Sequence, residues 1–276
     1  MNRKPKFKSS IISRVFGKFA SCEFATNIQC FINKIYVKLM KVDLSEFESS
    51  DTYKSLNALF TRELKKPRAF DTSEDIFISP SDAFISECGL IEEQRALQIK
   101  GHAYRVREFL GDFICKANKD KLIDGTFLNF YLSPKDYHRY HVPLDMRVVK
   151  AVHIPGKLYP VNFTWLKRVE ELFIENERVV LECYTKEEQL FYMVFVGALN
   201  VGKMAFNFDT SIQTNAQASI CKPYMYENLW LKKGDELGRF EMGSTIIMLF
   251  EKDMVELTCK KEKAIRFSEE IAKIKK

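Results

Sequence analysis

The apolar pattern changes period twice along the chain. Near the start it is helical. Ile11, Ile12, Val15, Phe16 and Phe19 recur at three- and four-residue intervals, as do Phe31, Ile32, Ile35, Tyr36, Leu39 and Met40 in "CFINKIYVKLMKV". A third helix is expected from Ser55 to Leu64, stopped by Pro67. From about Phe77 onward, short β-branched and aromatic runs alternate with turn residues: "DIFISPSDAF", "GTFLNFYLSP", "MRVVKAVHIPG", "ERVVLECYT", "LFYMVFVGALNVGKMAF", "STIIMLFE" and "MVELTC". Runs of that length and composition predict strands. The final "EKAIRFSEEIAKIKK" predicts a surface helix. The expected fold is α+β, mainly β, with amphipathic helices over 1–50 and a β-rich domain over 51–276.

Charge sharpens that division. The chain of 276 residues carries +6 in all, but residues 1–41 hold nine Lys/Arg against Glu23 alone, which leaves the remainder at −2. Lys34, Lys38 and Lys41 sit off the apolar face of the second helix. Such a basic amphipathic pair suits an anionic bilayer surface, and equally suits packing on the domain's own core. A nucleic-acid module is not recognisable, and the body is slightly acidic, so no nucleic-acid partner is expected. No apolar run reaches the roughly 20 residues of a membrane-spanning helix. The N-terminus lacks the uninterrupted apolar stretch of a secretory signal, which favours the cytoplasm. Seven widely spaced cysteines without a C-x-x-C pair predict reduced, mostly buried thiols rather than a disulfide framework or a zinc site.

Four histidines are present, and two fall in "YLSPKDYHRYHVP", Tyr131 to Pro143. His138 and His141 are natural proton carriers near neutral pH, or satisfied structural residues, or a weak H-x-x-H metal pair lacking a third ligand. Asp82 in "SPSDAFISECG" reads as a turn aspartate or as the orienter of a histidine. Ser244 in "GRFEMGSTIIMLFE" stands at a glycine-bearing corner directly before an apolar strand. It is a turn residue or a presented nucleophile.

These segments occur together in one family. "YLSPKDYHRYHVP" resembles the diagnostic segment of phosphatidylserine decarboxylases, and "EMGSTIIMLF" is similar to their C-terminal processing motif. "NALFTRELKKPR", "IKGHAYRVREFLG", "HIPGKLYPVN", "FIENERVVL" and "KKGDELGRF" agree in the same order, so the resemblance runs from about residue 55 to 251. Met242 replaces the family's usual leucine, and Ala83 replaces its common glycine after the aspartate. If that position requires a positive φ, alanine is strained there.

The resemblance implies a proenzyme that cuts itself between Gly243 and Ser244 by an N-to-O acyl shift. The products are a β chain of 1–243 and an α chain of 244–276 that stay together as a heterodimer. Asp82, His141 and Ser244 are implied for self-processing, and Ser244 becomes a covalent pyruvoyl group, with no metal. That group condenses with the amine of phosphatidylserine and takes up the electrons released as CO₂ leaves, giving phosphatidylethanolamine. His138 is the candidate proton donor, with Tyr137 and Arg139 shaping the pocket or serving the fold. A lipid substrate raises the weight of the membrane reading, which puts a peripheral enzyme on the cytoplasmic face of the cell membrane, and the resemblance suggests a homodimer. Two rivals stand beside it. One is a serine hydrolase using Ser244, His141 and Asp82 uncut, although no G-x-S-x-G elbow is present. The other is a lipid-binding or carrier-like domain, since "KKGDELGRFEMGSTIIML" has the glycine-punctuated strand pattern of lipoyl and biotinyl carriers, and the core is expected to have that barrel-sandwich character. Decarboxylation of a related serine-bearing lipid is a further variant.

Overall fold

A computed structural model of the chain describes residues 8–99, 102–199, 203–214, 220–241 and 244–275. Three N-terminal helices come first: α1 (Lys8–Ser21), α2 (Thr26–Met40) and α3 (Leu56–Phe60). The strands that follow are β1 (Ile76–Ile78), β2 (Ala83–Leu90), β3 (Arg95–Ile99), β4 (His102–Arg105), β5 (Thr126–Leu132), β6 (Arg139–His141), β7 (Met146–Ile154) and β8 (Arg178–Tyr184). The second half adds β9 (Leu190–Gly197), β10 (Lys203–Phe206), β11 (Lys222–Leu231), β12 (Glu236–Glu241), β13 (Ser244–Phe250), β14 (Val255–Leu257), β15 (Lys263–Ile265) and β16 (Glu270–Ile274). Strand outweighs helix, 37% to 20%, so the fold is mainly β as the pattern predicts.

Eight strands form one sheet in the order β11-β7-β8-β9-β13-β5-β2-β15, antiparallel throughout. Two three-stranded sheets, β1-β16-β14 and β10-β12-β6, lie against one face, and no barrel closes among the described residues. β13 explains the layering. Ile246, Met248 and Phe250 pack with Phe77, Tyr140, Met204 and Phe240 of the small sheets. Ile247 and Leu249 face the opposite way, onto Phe109, Leu166, Leu172 and Phe173 of short helical turns. A strand buried on both faces reads as an unbroken apolar run, which is why "TIIMLF" carries no alternation.

The structure corrects three expectations. The C-terminal segment is not a helix: β15 pairs with β2, and β16 pairs with β1 and β14 while burying Ile271 and Ala272. Strand partners far away in sequence override the segment's local helical pattern. The third helix begins where expected, with the Ser55 hydroxyl accepting from Ala58 N–H at 3.1 Å, but it stops at Phe60. There Arg139 Nε claims the Thr61 carbonyl at 2.9 Å and its guanidinium reaches Glu63 at 2.6 Å, so the chain leaves the helix early. The seven cysteines are free thiols, as expected, yet Cys183 alone is buried while Cys22 and Cys115 are exposed. Cys30, Cys88, Cys221 and Cys259 are half-buried, the last three packed against the margins of the two cores. Ala83, in contrast, begins β2 with no positive φ, so it is not strained.

Helix α2 is turned inside out. Its polar Gln29 and Asn33 are buried, with Asn33 Nδ2 donating to the carbonyls of Ser50 and Tyr53 at 2.9 Å each. Its apolar Ile28, Phe31, Ile35 and Leu39 face outward, Phe31 at 64% and Leu39 at 70% exposure. Val15 and Phe19 of α1 and Phe24 between the helices extend this apolar surface. No helix among the described residues is long and apolar enough to cross a membrane.

Candidate functional site

Three central strands bring the candidate residues to one end of the large sheet. Ser244 opens β13, paired on one side with Leu132, the last residue of β5, and on the other with Gly197, the last of β9. Beyond β5 lies β2, whose first residue directly follows Asp82. Two strand spacings of ~4.8 Å separate β13 from β2, which puts the backbones of Asp82 and Ser244 about 10 Å apart at the same end of the sheet. Gly243, the other side of the expected cut, and Met242 lie outside the described residues. Gly197 is firmly held: its carbonyl accepts from Asn176 Nδ2 and its N–H donates to the Glu177 carbonyl, both at 2.8 Å.

From the end of β5 the chain turns through Ser133–Tyr137 and delivers both histidines. The Asp136 carboxylate closes the turn, accepting from the backbone N–H and hydroxyl of Ser133 at 2.7 Å each. His138 is fully buried, its ring centroid 3.9 Å from that of Phe60. Its Nδ1 lies 2.8 Å from the Asp136 carbonyl. A carbonyl only accepts, so Nδ1 carries the proton and Nε2 carries a lone pair in the neutral ring. Burial, reinforced by the nearby Arg62 charge, pushes the His138 pKa down to about 3, which keeps that ring neutral. Nε2 has no hydrogen-bond partner among the described residues. The backbone carbonyl of His138 accepts from Phe240 N–H at 2.9 Å, tying it to the end of β12 that runs toward Ser244.

His141 is also buried but fully engaged. Its Nδ1 donates to the Gly234 carbonyl at 3.0 Å, and its Nε2 accepts from the Tyr137 hydroxyl at 3.1 Å. Burial holds the Tyr137 hydroxyl protonated and lowers the His141 pKa. Phe267 stacks on the His141 ring with centroids 3.7 Å apart.

Asp82 spends its carboxylate on Arg68 and on Phe267. Arg68 grips both oxygens, at 2.5 and 2.9 Å, and the Phe267 N–H donates to Oδ1 at 2.8 Å. Among the described residues no hydrogen bond joins Asp82 to His141. The two meet through Phe267, whose backbone is held by one and whose ring covers the other. Arg68 is itself braced by Glu46, at 3.2 and 2.9 Å.

Several of these partners are invisible to motif reading. Arg68 sits in "KKPR", which looks like a solvated basic run, and Phe267 lies in the segment expected to be helical. Only the tertiary fold brings them to Asp82. Arg139 serves the fold, bonding Glu236 at 2.8 and 2.7 Å besides Thr61 and Glu63. His153, outside the site, pairs with Glu177 at 2.8 Å. Among the described residues no group of three or more His, Cys, Asp and Glu side chains is arranged to hold a metal ion.

The family model for phosphatidylserine decarboxylase matches residues 56–273. The chain belongs to that family. Phosphatidylserine decarboxylase proenzyme of Campylobacter jejuni is 50% identical over 265 residues, covering 94% of this chain and 97% of that protein. The proenzyme of the same name from Helicobacter pylori is 48% identical over 269 residues, covering 95% and 96%. That of Idiomarina loihiensis is 37% identical over 275 residues, covering 96% and 92%. Phosphatidylserine decarboxylases are carboxy-lyases, so the uncut hydrolase and the non-catalytic carrier fall away as readings of this site. The likeness extends through both the helical layer and the sheets.

Proposed function

We propose that this chain is a proenzyme that cuts itself between Gly243 and Ser244 and then decarboxylates phosphatidylserine to phosphatidylethanolamine. The observation that carries the reading is the position of Ser244 as the first residue of a central strand. Both neighbours of β13, β5 and β9, belong to the piece before the cut. A break ahead of Ser244 therefore leaves its ladder intact, and the short chain stays bound to the long one.

The residues present fit a pyruvoyl group at position 244. Among the described residues the hydroxyl of the next side chain, buried Thr245, and Nε2 of His138 have no hydrogen-bond partner, which leaves polar capacity for such a group. Such a group supplies an electron sink for the pair released as CO₂ departs. His138, neutral and with a bare lone pair, is suited to holding and delivering a proton at Nε2. The Asp82–Phe267–His141 stack, with Tyr137 on His141 Nε2, is the assembly we assign to self-processing together with the Ser244 hydroxyl. Tyr137 has to yield, or relay the proton, for His141 to act as base.

Lipid reaches this site from a surface. The outward apolar face of α2 and the basic residues Lys34, Lys38 and Lys41 beside it suit peripheral attachment to an anionic bilayer, on the cytoplasmic side if the chain stays there. The inverted packing of α2 supports this over simple capping of the core, because a capping helix buries its apolar face.

The test is Ser244→Ala. The parent should mature from 32.3 kDa into two pieces, the smaller roughly 4 kDa, and release CO₂ from phosphatidylserine. The variant should remain one chain without activity. A parent that decarboxylates while uncut, or an active alanine variant, would end the proposal.

A further inference from the structure

Three successive carbonyls ahead of His138 are held from the helical layer. Tyr36 on α2 donates its hydroxyl to the Pro134 carbonyl at 2.8 Å. Arg62, two residues past α3, donates Nη2 to the Lys135 carbonyl at 2.8 Å and to the Asp136 carbonyl at 3.1 Å. The Asp136 carbonyl is the same oxygen that accepts from His138 Nδ1. Phe60, the last residue of α3, covers the histidine ring. One short stretch thus supports the ring face and the atom that sets its tautomer.

Arg62 is an expensive residue for a purely structural task. It is 2% exposed and lies over the Phe47 ring at 4.5 Å, and among the described residues Nε and Nη1 have no hydrogen-bond partner. Burying a guanidinium with carbonyl partners alone forfeits hydration that those carbonyls only partly replace. What it gains is one nitrogen, Nη2, whose two hydrogens reach two adjacent carbonyls from a guanidinium held flat over the Phe47 ring. With Arg62 removed, the Asp136 peptide loses its second anchor and the histidine its fixed acceptor.

We infer that Arg62 and Tyr36 are positioning residues for His138, clamping the 134–136 carbonyls so that the buried ring keeps its proton on Nδ1 and its lone pair on Nε2. The layer that carries the outward apolar stripe is then also the layer that sets the form of the proton carrier. The inference rests on the reading of His138 as proton carrier in decarboxylation.

The experiment labels histidine with ¹⁵N in the matured protein. With four histidines in the chain, the His138 signals are assigned by their loss in His138→Gln. At pH 7 the parent should show a protonated Nδ1 and an unprotonated Nε2. Arg62→Met should give a mixture of the two tautomers, and kcat on phosphatidylserine in mixed micelles should fall about 10- to 100-fold with KM within about twofold. Arg62→Lys should lie between, and Tyr36→Phe should show a smaller change of the same kind. If Arg62→Met fails to fold, these two variants carry the same readout. A His138 nitrogen pattern unchanged in the variants would overturn the inference, whether or not activity fell. Should the parent prove inactive on phosphatidylserine, the functional proposal fails, while the nitrogen spectra still decide the clamp.

Discussion

Acidification should destabilise this protein through His138 in particular. Burial and the Arg62 charge lower its pKa from 6.5 to about 3. A folded-state pKa below the unfolded one means that the unfolded chain binds the proton more readily. The stabilising contribution is therefore complete above pH 6.5 and is lost as pH falls toward 3. Working the linkage between pH 7 and pH 5 gives a loss of about 2 kcal/mol from this one residue. His141, whose pKa burial also lowers, acts in the same direction, while the burial-raised carboxyl of Asp136 acts against it. Comparing a parent with His138→Gln cancels both. Urea unfolding should be measured in the uncut Ser244→Ala background, because two separate chains would make the midpoint depend on concentration. The parent should lose about 2 kcal/mol more than the glutamine variant between the two pH values. Equal losses would refute the claim that His138 is held neutral by its surroundings.

Two further outcomes are expected. Arg68→Met strips Asp82 of its bidentate partner and should lower stability by about 2–3 kcal/mol, discounted for the partial exposure of the carboxylate. The urea midpoint reads that loss, and self-processing should slow with it. Phe31→Ser combined with Leu39→Ser should leave the urea midpoint nearly unchanged, because both side chains already face outward. Partitioning onto phosphatidylserine-containing vesicles should fall by about two orders of magnitude, at about 1.5 kcal/mol or more per side chain. Undiminished flotation with the vesicles would remove α2 from the membrane surface.

Periodicity and motif reach far into this chain, and they stop at identifiable residues. The run from Ser244 to Phe250 is a strand because its apolar residues have nowhere to go but into two cores, and that is legible locally. The turn in "SPKDYH" and the capping serine at Ser55 are likewise written in neighbouring residues. β16 is different: "EEIAKI" has helical spacing, and it becomes a strand by pairing with nearby β14 and with β1, nearly 200 residues away. The inverted face of α2 is also a tertiary matter, since Asn33 is buried by the Ser50 and Tyr53 carbonyls that come to meet it.

The candidate site divides in the same way. The identities of Asp82, His138, His141 and Ser244 were available from the order of motifs, because a family's chemistry constrains residue types at short spacing. Their partners were not. Whether a histidine nitrogen is bare or occupied depends on which carbonyl or hydroxyl arrives from another element. Gly234 and Tyr137 occupy both ring nitrogens of His141, and the Asp136 carbonyl holds Nδ1 of His138. Likewise Asp82 faces Arg68 and the Phe267 backbone because β2 and the segment after β15 fold side by side. The sequence by itself determined most strands up to β14, the first two helices and the residue types at the candidate site, all set by local spacing and composition. Hydrogen-bond partners, burial and protonation state were decided by the tertiary structure, since they depend on groups brought together from as far apart as residues 36 and 267.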